Sequence, residues 1–244
     1  MDHEFDSLQF VVFLQIAWPS APIPTLWQQI VGADLEKVQT LPDGTQQATG
    51  RYEGLSVVLF SQPGRIDLLV LPHPMATSPA TLAKGTEIGL RLSRRMADAE
   101  KVFRVAAVFQ SSAEQPSAEA AAARVSDFAP AKAPAEATDL WYQTTVPVMS
   151  QVAEGYSISR LLRFNVGRKQ QTRIGASGKV LDESDPFVVV KYADVFVDTI
   201  KAIPAGAASP LFEEVAGIAQ DIISRGYAAL HAGPQFQTAT RSLG

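Results

Sequence analysis

The chain has 244 residues, a formal net charge of −4, three histidines and no cysteine. These values exclude disulfides, thiolate catalysis and cysteine-held zinc or iron–sulfur sites, and the acidic balance disfavours a globally basic nucleic-acid binder. A hydrophobic fraction of 46% with 19% charged residues is enough for a core that needs no metal or covalent staple.

The first six residues include Asp2, Glu4 and Asp6, the opposite of the positive start of a secretory leader. The apolar run over 8–18 is interrupted by Gln9 and Gln15, and it falls short of the roughly 20 apolar residues of a membrane span. The expectation is a soluble, cytoplasmic chain without a membrane partner.

Residues 8–18 are rich in Val, Phe and Ile and read as a buried strand ended by Pro19, Pro22 and Pro24. Leu26, Trp27, Ile30 and Val31 recur at helical spacing, so a short helix is expected from near Thr25. Pro42-Asp43-Gly44 marks a turn. Strands over 45–53, 55–61 and 66–71 follow, joined at Glu53-Gly54 and Pro63-Gly64 into an antiparallel meander. Ser78-Pro79 opens a helix to Ala99, with Leu82, Gly85, Gly89, Leu92 and Met96 on one face. Gly85 and Gly89 lie one turn apart, so that helix is expected to approach its own sheet closely. A strand over 102–109 comes next.

Composition then shifts. Residues 117–125 suit a short Ala-rich helix, and 129–135 read as an Ala/Pro linker within a long loop over 111–138. Residues 141–153 read ambiguously: Pro147 forbids one unbroken helix, but Thr145 can cap a new one with Pro147 in its first turn, and Gly155 can end it. Ser157 begins a strand with Ile158, Leu162, Phe164 and Val166 at even positions. Gly167-Arg168 suits a two-residue turn, with 169–174 returning beside it. Residues 187–200 form the longest strand pattern. Ser209-Pro210 then opens a helix with Leu211, Val215, Ile218, Ile222 and Ala229 on one stripe, and Glu213 and Glu214 in its first turn.

Two stretches echo each other. Asp67 to Pro72, then Ser78-Pro79 and a helix bearing Ser93-Arg94, matches Asp198 to Pro204, then Ser209-Pro210 and a helix bearing Ser224-Arg225. The fold expectation is α+β with two related lobes, 1–100 and 101–244. Each has a strand, a helix, an antiparallel β-meander and a packing helix, and the lobes meet about a pseudo-two-fold axis. The groove between them is the default binding site, with Asp67 and Asp198 as its candidate carboxylates.

The clearest electrostatic anomaly is 155–181, which carries Arg160, Arg163, Arg168, Lys169, Arg173 and Lys179 and no acidic residue. Arg163, Arg168, Lys169 and Arg173 on a hairpin would bind oxyanions or an acidic protein surface, because guanidinium forks grip carboxylates bidentately. The plainer reading is a solvated edge whose charges resist strand-to-strand aggregation. Gly175-Ala176-Ser177-Gly178-Lys179 has the wrong spacing for a phosphate loop, and His3, His73 and His231 lack metal-ligand spacing. Asp194 and Asp198 share a strand face about 13 Å apart, too far for a carboxylate pair. Trp141 and Tyr142, beside the linker, suit a partner anchor.

No catalytic constellation, cofactor motif or metal motif is legible. The sequence therefore favours a non-catalytic binding or assembly protein engaging an acidic protein partner or its own copies. The alternative is an enzyme of unknown chemistry acting on an anionic small molecule in the inter-lobe groove. A further alternative is a nucleic-acid-associated accessory protein, disfavoured by the net charge.

Overall fold

The computed structural model describes residues 4–15, 21–72, 79–99, 101–127, 129, 140–168, 171–174, 180–184 and 187–231. In its first half the chain forms β1 (Glu4–Leu14), α1 (Ile23–Ile30), β2 (Leu35–Thr40), β3 (Gln46–Tyr52), β4 (Leu55–Gln62), β5 (Arg65–Pro72) and α2 (Pro79–Ala99). The second half forms β6 (Val102–Gln115), α3 (Ala118–Ser126), β7 (Leu140–Met149), β8 (Ser157–Arg168), β9 (Gln171–Ile174), β10 (Val180–Ser184), β11 (Phe187–Ile203), α4 (Ala205–Arg225) and α5 (Ala228–His231). The class is α+β.

Nine strands make one antiparallel sheet in the order β2-β3-β4-β5-β1-β6-β11-β8-β7, and β9 and β10 pair separately. The halves join where β1 and β6 pair from Glu4↔Ser112 to Leu14↔Val102. The sheet is therefore continuous across the boundary between the halves.

Period-two alternation decides which side chains go under the helices. Leu8, Phe10 and Val12 of β1, Leu68 and Val70 of β5, Ala107 and Phe109 of β6, Val195 of β11 and Phe164 of β8 are fully buried on one face. The described helices pack there. Phe10 stacks 5.0 Å from Phe212 of α4. Trp27 of α1 lies against Gly50, where a Cβ would come within 2.6 Å of its ring. The expected close approach of α2 is present: a Cβ at Gly89 would stand 2.2 Å from the Phe10 ring, and one at Gly85 3.1 Å from Leu8. The alternate residues form a face that no described helix covers.

Several expectations need correction. The first strand begins at Glu4, four residues early. Pro24 starts α1 instead of ending the strand, since a missing N–H costs nothing in the first turn. β2 was not expected, because Glu36, Lys37, Gln39 and Thr40 leave no apolar stripe on that edge strand. Residues 140–149 are strand, not helix. The Ser150 N–H donates to the Tyr156 carbonyl across the β7–β8 turn, so even-numbered β7 residues face β8 and Pro147 turns its nitrogen outward. An edge strand tolerates that orientation. Gly167-Arg168 is no turn: β8 runs through it and pairs with β7 and β11, while β9 pairs with β10. α4 starts at Ala205, where Ala207 and Ala208 donate to the Pro204 carbonyl, and Pro210 lies inside the helix. The Ala-rich helix stands as expected, with the Ser117 hydroxyl accepting from the Ala120 N–H.

Candidate functional site

The helix-free face carries a row of alternating guanidinium and ring. The Arg65 guanidinium of β5 lies 5.1 Å from the Phe13 ring of β1, and Arg104 of β6 lies 5.3 Å from the same ring. Arg104 also sits 4.2 Å over Phe196 of β11. Strand pairing dictates this order, because Phe13 stands opposite Arg65 on one side and Arg104 on the other. Separately, four residues along β11 from Phe196, Arg163 of β8 lies 4.1 Å over Tyr192, its cross-strand partner. A cation over a ring face is favourable and keeps the planar fork ordered.

Carboxylates punctuate this face. Asp67 is buried and accepts from Arg65 Nε at 2.7 Å. Burial raises its pKa above the ordinary value, and Arg65 opposes that shift. Burial likewise raises the pKa of Asp194, against the pull of Arg104 and Arg163. The buried Asp194 Oδ1, Arg163 Nε and Asn165 Oδ1 have no hydrogen-bond partner. All three belong to the neighbouring strands β8 and β11, on the helix-free side.

Among the described residues, the basic stretch anticipated from sequence is divided between the two faces of β8. Arg163 lies flat on the sheet over Tyr192. Arg168 ends β8 on the opposite face, exposed and 4.7 Å over Phe187. Lys169 lies outside the described residues, as do His3, His73, Trp18 and Gly175 to Lys179. Arg173 stands in β9 in register with Asp182. Arg160 is buried under the helices, donating to the carbonyls of Val146, Ala229 and Leu230 at 3.3, 3.3 and 3.0 Å. It ties β7 and α5 together and is not a surface charge.

The candidate groove carboxylates, Asp67 and Asp198, belong to β5 and β11 of the one sheet. Asp67 stands opposite Val11, and Asp198 opposite Arg104, so β1 and β6 lie between their strands. Three strand spacings come to about 14 Å. Among the described residues no group of three or more His, Cys, Asp or Glu is placed to hold a metal ion. None of the described helices is long and apolar enough to cross a membrane.

Sequence reasoning missed Phe13, Arg65, Arg104, Tyr192 and Phe196. The signal was present, since Tyr192, Asp194 and Phe196 alternate along one strand and so share its face. What the sequence lacked was the pairing that puts β6 between β1 and β11. No protein-family model matches the chain, and no curated protein matches it.

Proposed function

We propose that this chain is a non-catalytic binding or assembly protein whose helix-free sheet face takes an acidic protein surface. One observation carries this reading: Arg65, Arg104 and Arg163, on β5, β6 and β8 of one sheet, are already stacked on rings of the intervening strands. Guanidinium edges held this way can receive carboxylates with little further ordering cost. In this reading Arg163, one of the four basic residues expected from the sequence, acts together with Arg65 and Arg104.

Fluorescence anisotropy with a labelled poly-glutamate peptide tests the reading. Binding is expected to weaken steeply with salt and to drop at least about tenfold in Arg163→Gln. Salt-insensitive binding, or binding equal in that variant, would remove the face from consideration.

We infer also that the halves 1–100 and 101–244 descend from one doubled unit. Each runs strand, helix, meander, helix. Outward from the junction the strands are β1-β5-β4-β3-β2 on one side and β6-β11-β8-β7 on the other. β1, β5, β4 and α2 must superpose on β6, β11, β8 and α4; failure to do so would refute common descent.

A further inference from the structure

The sheet has two rims, and they are finished differently. At one rim β2 is six residues long and carries Glu36 and Lys37, with Glu36 paired to Arg51 at 3.3 Å. Short length and charge are the usual ways of blunting an edge against further pairing. At the other rim β7 is ten residues long, Leu-Trp-Tyr-Gln-Thr-Thr-Val-Pro-Val-Met, without a single charge. Nothing among the described residues pairs with its outer side. Trp141 and Met149, at its two ends, are 61% and 57% exposed, and Val152 just beyond is also exposed. In the first half the strand second from β5, β3, has its outer side covered by β2. Among the described residues, no strand covers the corresponding outer side of β7.

The backbone of β7 states what fits there. Because even-numbered residues bond to β8, the N–H and C=O groups of Trp141, Gln143, Thr145 and Met149 point away from the sheet, and only Pro147 has no N–H to offer. Unpaired backbone groups in a row are satisfied by another strand. We propose that the occupant is β7 of a second copy, paired antiparallel about a two-fold axis through Thr145. Only odd residues face outward, so the registers that bond are those placing odd opposite odd. Of these, the one centred on Thr145 overlaps the whole of 141–149.

In that register every cross-strand pair is compatible. Trp141 of each copy stands opposite Met149 of the other, covering both exposed apolar side chains with a sulfur–aromatic contact. Tyr142 meets Val148, Thr144 meets Val146, and Thr145 meets itself; aromatic with β-branched and β-branched with β-branched pairs are favourable cross-strand neighbours. Pro147 meets Gln143, so each copy forfeits one donor while the rest of the ladder is complete. No like charges are brought together, although each chain carries a net charge of −4. The interface is isologous and therefore closes at two copies. It deepens the assembly side of the proposed function and is independent of the arginine face.

The test uses the full chain in light scattering and analytical centrifugation. The unmodified chain is expected to dimerise with concentration. Thr145 is exposed and lies on the two-fold axis, so Thr145→Lys and Thr145→Glu each place like charges face to face and should weaken the dimer at least about tenfold. Mixing the two variants should restore it as a heterodimer. Thr145→Cys should cross-link to itself on oxidation, since directly opposed strand residues have Cα atoms within disulfide reach and the chain has no other cysteine. A chain that stays monomeric at the highest attainable concentration overturns the proposal. So does a dimer indifferent to both charges, or a Thr145→Cys chain that does not cross-link. Poly-glutamate binding that survives in the Thr145 variants would show that the arginine-face reading stands even if this one falls.

Discussion

The two halves of the sheet meet at β1 and β6 and differ in what lies beneath their helices. The first half is packed apolar against apolar: α2 comes down on β1 at glycine distance, and Ile88, Leu92 and Met96 fill the space beside it. In the second half, charged side chains tie the layers together. Arg160 holds the carbonyls at the start of α5, Lys191 donates to the Ile223 carbonyl at 3.0 Å, and Glu214 accepts from Ser150 Oγ and the Gln151 N–H at 2.5 and 2.8 Å. Arg160, Lys191 and Glu214 are all buried. The contrast teaches that one architecture can be closed either by shape or by hydrogen bonds to backbone ends. The second route depends more on each single residue, because a lost partner leaves buried polar groups behind.

That contrast can be broken in order of expected effect. Arg160→Ala strands the Ala229 and Leu230 carbonyls and should cost about 3 kcal/mol in chemical denaturation. Amide exchange in α5 and β7 should accelerate before that in β1. An unchanged denaturation midpoint would mean the carbonyls find other donors. Gly89→Ala should cost about 2 kcal/mol, since its Cβ can enter only by displacing Phe10. A neutral result would show that α2 can lift from the sheet, contradicting packing by shape. Glu214→Ala releases the turn after β7 and should cost about 1.5 kcal/mol, visible as faster proteolysis near Gln151.

Two pH series sharpen the same comparison. Burial lowers the Lys191 pKa from 10.5 to about 8, with Arg124 adding to the shift. The unfolded chain then holds more protons between these values, so stability should rise as pH goes from about 8 towards 10.5, and Lys191→Met should flatten that rise. Asp194 has the opposite profile. Its raised pKa means stability is lost as pH climbs from 3.8 through the folded value. Asp194→Asn should therefore melt higher than the parent at pH 7, with the gap closing towards pH 3. A gap that grows in acid would show that Arg104 and Arg163 outweigh burial.

Much of the first half was readable in advance, because hairpin turns at Glu53-Gly54 and Pro63-Gly64 set local pairings and the Gly85/Gly89 spacing announced a close helix. The second half hid more. Pro147 reads as a helix start to any local rule, and only its place on a rim makes it strand. Arg160 and Arg163 look equivalent along the chain, yet alternation sends one under the helices and the other to the open face. The Arg104 stack depends on β1 and β6 becoming neighbours across roughly a hundred residues, which local pattern cannot reveal.

Phe10 belongs to β1, yet its ring lies beneath Gly89 of α2, 5.0 Å from Phe212 of α4 and 6.5 Å from Phe109 of β6. One aromatic thus serves as the keystone of both halves. Cut between residues 100 and 101, neither fragment could seal its own interior: one would lose the ring's neighbours and the other the ring itself. The lining of that ring is therefore complete only when side chains from both sides of the cut are brought together.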